Sequence, residues 1–223
     1  MTRVDLAALA QHVIDGHDAD VGRLTREALD EGQSPAEVLE RGLVAGMQVI
    51  GERFRENVIF VPEVLVAARA MKAGLAHLEP VLAASGIAPV GTCVLGTVKG
   101  DIHDIGKNLV GMMLRGAGVR VIDLGVNTPL PKFMAAIEEH RPEIVGMSAL
   151  LTTTMGQMKV NIEAFRQAGV LQRARVMVGG AAVSGEYAAA IGAHGYAKDA
   201  PSAVGRALEL LVEVKAARLV VEG

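Results

Sequence analysis

At 223 residues, 51% of them hydrophobic, the chain is long enough to bury one large core or two small ones. It has no Trp, two Tyr and four Phe, which argues against stacking bases or sugars on aromatic platforms. A net charge of -3 removes the electrostatic reason to expect nucleic acid or an anionic membrane as partner, and the single cysteine, Cys93, cannot close an internal disulfide.

No basic-then-apolar leader opens the chain, and no segment reaches the ~20 uninterrupted apolar residues of a bilayer crossing. A cytoplasmic protein is expected. Cys93 sits in an apolar run and reads as a buried small residue.

Residues 1 to about 83 read as helices. Leu6, Leu9, Ala10 and Val13 mark one helical face, and Val21, Leu24, Ala28 and Leu29 a second, with Gly32 placed to stop it. Ser34-Pro35-Ala36-Glu37 resembles a capping box ahead of a helix running toward Phe54. Pro62-Glu63 opens a fourth, with Val64, Leu65, Ala68, Met71, Leu75 and Leu78 expected on its inner side. Four helices with short turns predict a small bundle. Phe60, in the corner before the fourth helix, is read either as core or as part of a cover over a ligand. His12, His17 and His77 read as isolated, with no metal-ligand spacing among them.

The stretch 83–91 is small, glycine-bearing and reads as a linker. Beyond it, short apolar runs alternate with amphipathic stretches, which predicts a parallel sheet with crossover helices. Strands are expected at Thr92–Val98, Arg120–Leu124, Ile144–Ser148, Arg175–Val178 and near Gly195-Tyr196. Helices are expected at about 105–114, 131–140, 155–168, 183–191 and 202–219. The fold class is therefore α/β: an N-terminal four-helix bundle over residues 1–88, then a flavodoxin-like, Rossmann-like five-stranded parallel sheet over 89–223. Such sheets collect ligands at the carboxyl ends of their strands.

Polar and glycine residues converge there. Lys99-Gly100-Asp101-Ile102-His103-Asp104-Ile105-Gly106 follows the first strand, Ser148 to Thr154 the third, Gly179-Gly180 the fourth, and Ala197-Lys198-Asp199 the fifth. A phosphate loop does not fit, because Asn108 stands where Ser or Thr should hold magnesium. No Gly-x-Gly-x-x-Gly follows the first strand, and one histidine without a nearby cysteine is too little for zinc. A lone histidine in a glycine loop suits a metal whose other positions are filled by a macrocycle. Asp101, two residues earlier, can accept a hydrogen bond from the far ring nitrogen and fix its tautomer.

Asp101-x-His103-x-x-Gly106, then Ser148-x-Leu150, then Gly179-Gly180 resembles the cobalamin-binding signature of methionine synthases, carbon-skeleton mutases and corrinoid methyl carriers. The gaps match as well, with 41 residues between Gly106 and Ser148 and 28 between Leu150 and Gly179. With a helical bundle in front, the resemblance covers nearly the whole chain and points to the corrinoid proteins of methyltransferase systems.

That resemblance implies cobalamin as cofactor, in its methylcobalamin and cob(I)alamin forms. His103 would be the lower ligand of cobalt, in place of the cofactor's own base, with Asp101 tuning it. Ile102, Asp104, Ile105 and Gly106 complete the loop. Ser148 would hydrogen-bond the displaced base, while Leu150, Thr152 and Thr153 shape its slot and Gly179 and Gly180 let its ring pass close to the backbone. Tyr196 and Asp199 lie at the same edge, and Phe60 and Val64 are candidate cover residues on the bundle, with 84–91 as hinge. Alternatively, Ser148 is a strand-end cap and the glycine pair an ordinary turn.

No catalytic residue is assigned, since the cofactor carries the chemistry. The implied partners are barrel-type methyltransferases that donate and accept the methyl group, with a thiol or tetrahydrofolate as final acceptor, and a reductive activase. A cobalamin-dependent sensor and the cobalamin subunit of an adenosylcobalamin mutase are the alternatives.

Overall fold

In a computed structural model, residues 3–84 and 89–221 are described. They fall into two compact units. One comprises Met1–Pro89 with Met112–Gly118, the other Val90–Gly111 with Val119–Gly223.

The first unit is helical. α1 (Leu6–Ile14) starts at Asp5, whose carboxylate accepts from the Ala7 backbone N–H at 2.9 Å. α2 (Asp18–Asp30) follows after a tight turn. α3 (Pro35–Glu37) runs through a π-helical segment, Val38–Val44, into α4 (Ala45–Arg55), and α5 (Val61–Ala84) is the fourth long stretch.

Three details differ from the sequence reading. Ser34 stands at the N-cap of α3 but its side chain makes no capping hydrogen bond, because Pro35 presets the first turn instead. Leu65 is 40% exposed, unlike Val64, Ala68, Met71, Leu75 and Leu78, which are buried. Phe60 is 63% exposed and so is not core; its backbone N–H is accepted by Glu63 at the start of α5. Of the expected hinge, residues 85–88 lie outside the described residues.

The second unit is a parallel sheet of β1 (Gly91–Thr97), β2 (Val119–Asp123), β3 (Ile144–Ser148), β4 (Arg175–Gly179) and β5 (Gly195–Ala197) in the order β2-β1-β3-β4-β5. The crossovers are α6 (Ile105–Gly116), α7 (Leu130–His140), α8 (Thr152–Gln167) and α9 (Gly185–Ala190), and α10 (Ala200–Val221) follows β5. β1 and β3 are nearly continuous apolar runs because helices cover both faces of the sheet. Val94, Val145, Val176 and Val178 pack with Met158 and Ile162 in one core, where Phe133 and Phe165 meet edge to face at 6.3 Å. Cys93 is buried in β1.

This order reverses direction between β1 and β3. Their carboxyl ends therefore diverge into loops on either side of a crevice, which is where an open α/β sheet receives a ligand. The sequence reading placed Thr152, Thr153 and Thr154 in a loop after β3. They are instead the first turn of α8, entered from an extended Leu151 with no side-chain cap.

Candidate functional site

The loop after β1 is fixed from below. Thr97, fully buried, donates from its hydroxyl to the His103 carbonyl at 2.9 Å. Gly100 takes φ +86, a left-handed conformation suited to glycine, and its N–H is accepted by Asn127 at 2.8 Å. Asn127 in turn donates its backbone N–H to the Asp101 carbonyl at 2.8 Å. On the far side Lys107, 3% exposed, places its ammonium 2.6 Å from both Asp123 carboxylate oxygens and from Asn108. The lysine beside the second loop glycine thus ties α6 to the end of β2 and has no charge to spare for a phosphate.

Asp101 is the centre of the arrangement. Its carboxylate is fully buried, and one oxygen accepts from the His103 backbone N–H at 3.0 Å and from His103 Nδ1 at 2.7 Å. The other accepts from the backbone N–H groups of Leu150 at 2.8 Å and Leu151 at 3.3 Å, and from the Thr154 hydroxyl at 2.8 Å. Burial alone would raise the pKa of this carboxyl. The donors of His103, Leu150 and Thr154 outweigh it and hold the group well below the ordinary carboxylate range.

An ionised carboxylate only accepts, so Nδ1 of His103 must carry the ring proton. Nε2 is then the free lone pair, on a side chain 46% exposed. That is the tautomer an imidazole needs to bind a metal through Nε2. Thr154 was missed from sequence. It lies one residue beyond the Thr152-Thr153 pair, and only the helical first turn aims its hydroxyl back at Asp101.

Around His103 the surface is apolar. Ile102 and Ile105 are 74% and 73% exposed, and Leu150, Leu151 and Val126 are also exposed. Five large apolar side chains left exposed at one strand-end edge make a patch of the kind that marks an interaction site. Asp104 accepts from the Asn108 side chain at 2.9 Å and stabilises the first turn of α6. Gly106 is open, with nothing near the position of an added Cβ. Thr152 and Thr153 are exposed. Ser148 is half-buried at the end of β3, opposite Gly179, and its hydroxyl makes no hydrogen bond among the described residues.

The glycine pair has a reason of its own. Gly180 takes φ +120, and a Cβ there would lie 2.1 Å from the Ala149 carbonyl oxygen; at Gly179 it would lie 2.9 Å from that of Ala197. The close approach that excludes a side chain is thus between strand-end backbones, before any ligand ring is considered.

Asp199 stands just before α10 and accepts from the Ser202 N–H at 2.8 Å, so its carboxylate is engaged in capping. Tyr196 is half-buried and packs against the core. In the helical unit Phe60 is exposed and Val64 is fully buried, so of that pair Phe60 alone has side-chain surface to offer.

An outward imidazole with a fixed tautomer, an apolar rim and an unpartnered strand-end hydroxyl fit a corrinoid, which needs one axial nitrogen and a broad apolar seat. The family comparisons agree. A B12 binding domain matches residues 91–205, and a second B12 binding domain model matches residues 6–79. The class defined by fold and site is a cobalamin-binding α/β domain preceded by a helical domain.

A corrinoid protein of Desulfitobacterium hafniense is 43% identical over 209 residues, 92% of this chain and 97% of that protein. Trimethylamine corrinoid protein 1 of Methanosarcina mazei is 39% identical over 204 residues, 90% of this chain and 94% of that protein. Among solved structures, the methanol:cobalamin methyltransferase complex MtaBC of Methanosarcina barkeri matches with a TM-score of 0.81 at 30% identity, over 92% of this chain and 78% of that one. The chain belongs to the B12-binding corrinoid proteins of methyltransferase systems. No helix among the described residues is long and apolar enough to cross a membrane.

Proposed function

We propose that this chain is a methyl carrier that holds cobalamin with its own base displaced, His103 serving as the lower ligand, and serves two methyltransferases in turn. The observation that carries the reading is the 2.7 Å contact of His103 Nδ1 with a buried, ionised Asp101, which leaves Nε2 free at the strand-end edge. When bound, the cofactor supplies the methyl-accepting and methyl-donating chemistry.

The residues supply the rest. Asp101 keeps the ring proton on Nδ1 and so the donor pair on Nε2. Ile102, Ile105 and Leu150 exclude water from the lower side of the ring system. Ser148 offers its free hydroxyl to the displaced base, in a slot shaped by Thr152 and Thr153 and floored by Gly179 and Gly180. Residues 1–88 are the cap domain and 89–223 the cofactor domain in this reading.

Relatives named for trimethylamine, dimethylamine and methanol support a small methylated donor. In this reading a barrel-type methyltransferase delivers it. A second methyltransferase would pass the group to a thiol or tetrahydrofolate. The test is His103→Ala in the cobalamin-loaded chain. Its visible spectrum should move from that of nitrogen-ligated to water-ligated cobalt, and methyl transfer with a donor methyltransferase should slow. An unchanged spectrum and rate would refute His103 as ligand.

A further inference from the structure

The helical unit gathers three ligand-type side chains, two of them histidines that the sequence reading took to be isolated. α1 ends in a Schellman turn: the His17 N–H donates to the His12 carbonyl at 2.9 Å and the Gly16 N–H to the Val13 carbonyl at 3.1 Å. Gly16 takes φ +73, and a Cβ there would lie 2.1 Å from Val66 Cγ1, so the turn is held tight from α5. In this motif the residues three before the cap and two after it face one another, and they are usually an apolar pair. Here both are histidines.

Their Nδ1 atoms lie 3.2 Å apart, with ring centroids at 5.4 Å and planes at 54°. Two nitrogens bound at about 2.0–2.1 Å to a tetrahedral ion are separated by about 3.3 Å. Asp20, third residue of α2, completes the group: one ligand atom from each of His12, His17 and Asp20 lies within 4.8 Å of the others. His17 stands at the N-cap of α2 yet its side chain makes no capping bond. The pair is thus not explained by helix termination.

We propose that His12, His17 and Asp20 bind a divalent transition-metal ion of the zinc class, with water in the remaining position. Two imidazoles and a carboxylate are a borderline-soft donor set that suits zinc rather than calcium or magnesium. A small side-chain adjustment of Asp20 closes the set, because the turn already fixes the two rings. Arg23 pairs with both Asp20 at 2.9 Å and Glu27 at 3.1 Å, and Arg69 with Asp18 at 2.9 Å, so a metal would displace Arg23 from Asp20 while Glu27 keeps the guanidinium paired. The ion would clip the end of α1 to the start of α2, far in sequence from the His103 loop.

The experiment is zinc titration of the chelator-treated full chain by calorimetry, in wild type, His17→Ala, Asp20→Asn and His103→Ala. The wild type should take one equivalent that His103→Ala retains. Outer-shell changes at metal sites typically cost 10–100-fold, so losing a ligand in His17→Ala should weaken binding by at least about 100-fold, and Asp20→Asn by about tenfold or more. His17 is exposed, so its alanine variant should fold, and circular dichroism checks that it does. Zinc X-ray absorption should report two imidazole nitrogens. Absence of binding below millimolar zinc, or unchanged binding in His17→Ala, overturns the site; so does an equivalent lost in His103→Ala and kept in His17→Ala.

Discussion

Asp101, fully buried, holds five donors on two oxygens. In Asp101→Asn one acceptor oxygen becomes a donor group facing other donors. A buried unsatisfied group costs ~1–3 kcal/mol, so urea unfolding should show a loss of about 2 kcal/mol or more even without cofactor. Thr154→Val removes a hydroxyl donor to the same charge while keeping the shape. Hydrogen bonds to charged groups are worth about 1.5–3 kcal/mol, and the loss should approach that range, with Thr154→Ser near wild type. If Thr154→Val keeps wild-type stability while Thr154→Ser loses it, the methyl group and not the hydroxyl is what matters there.

Among the elements, the sheet was legible because each strand is an apolar run bounded by glycine or polar residues, and the crossovers keep helical spacing between them. The strand-end placement of His103, Asp101 and Ser148 was legible for the same reason: residues at strand ends are written just after the strands. Thr154 was not, since three consecutive threonines are poor helix formers and Leu151 gives no capping signal. A tertiary bond to Asp101 holds that first turn, and no local pattern announces it. His12 and His17 were read as isolated because a spacing of five does not share a helical face; a left-handed glycine between them brings the rings together.

The glycines at the end of β4 were found, but their reason was incomplete. The reading from resemblance was room for a cofactor ring, whereas the structure puts the Ala149 carbonyl where the Cβ of residue 180 would go. The two reasons predict different things. Gly180→Ala should destabilise the cofactor-free chain by at least about 2 kcal/mol, from strain at positive φ plus overpacking. Equal stability of wild type and variant without cobalamin would restore the cofactor ring as the sole reason.

For the whole molecule, acid stability should depend on two groups of opposite type. Exposed pairs such as Arg166–Glu163 and Arg206–Glu209 contribute little, so the buried or half-buried sites set the profile. His194 accepts the Val176 N–H on Nδ1 at 3.1 Å, which requires that nitrogen to be unprotonated. Burial lowers its pKa from 6.5, and Arg175 adds to this; Arg166 and Arg206 push the same way, while Glu213 opposes. Asp101 is also lowered, from 3.8. Both folded values lie below the unfolded ones, so in each case the unfolded chain binds the extra proton as pH falls. Each contribution is whole above the unfolded pKa and is lost below it. Stability should therefore fall in two stages, the first beginning near 6.5 and the second near 3.8. The chain has no Trp, so far-UV circular dichroism in urea across a pH series is the suitable probe. His194→Gln, whose amide oxygen can still accept, should flatten the first stage alone, and Asp101→Asn the second alone. Parallel profiles for wild type and both variants would show that neither group governs the acid limb.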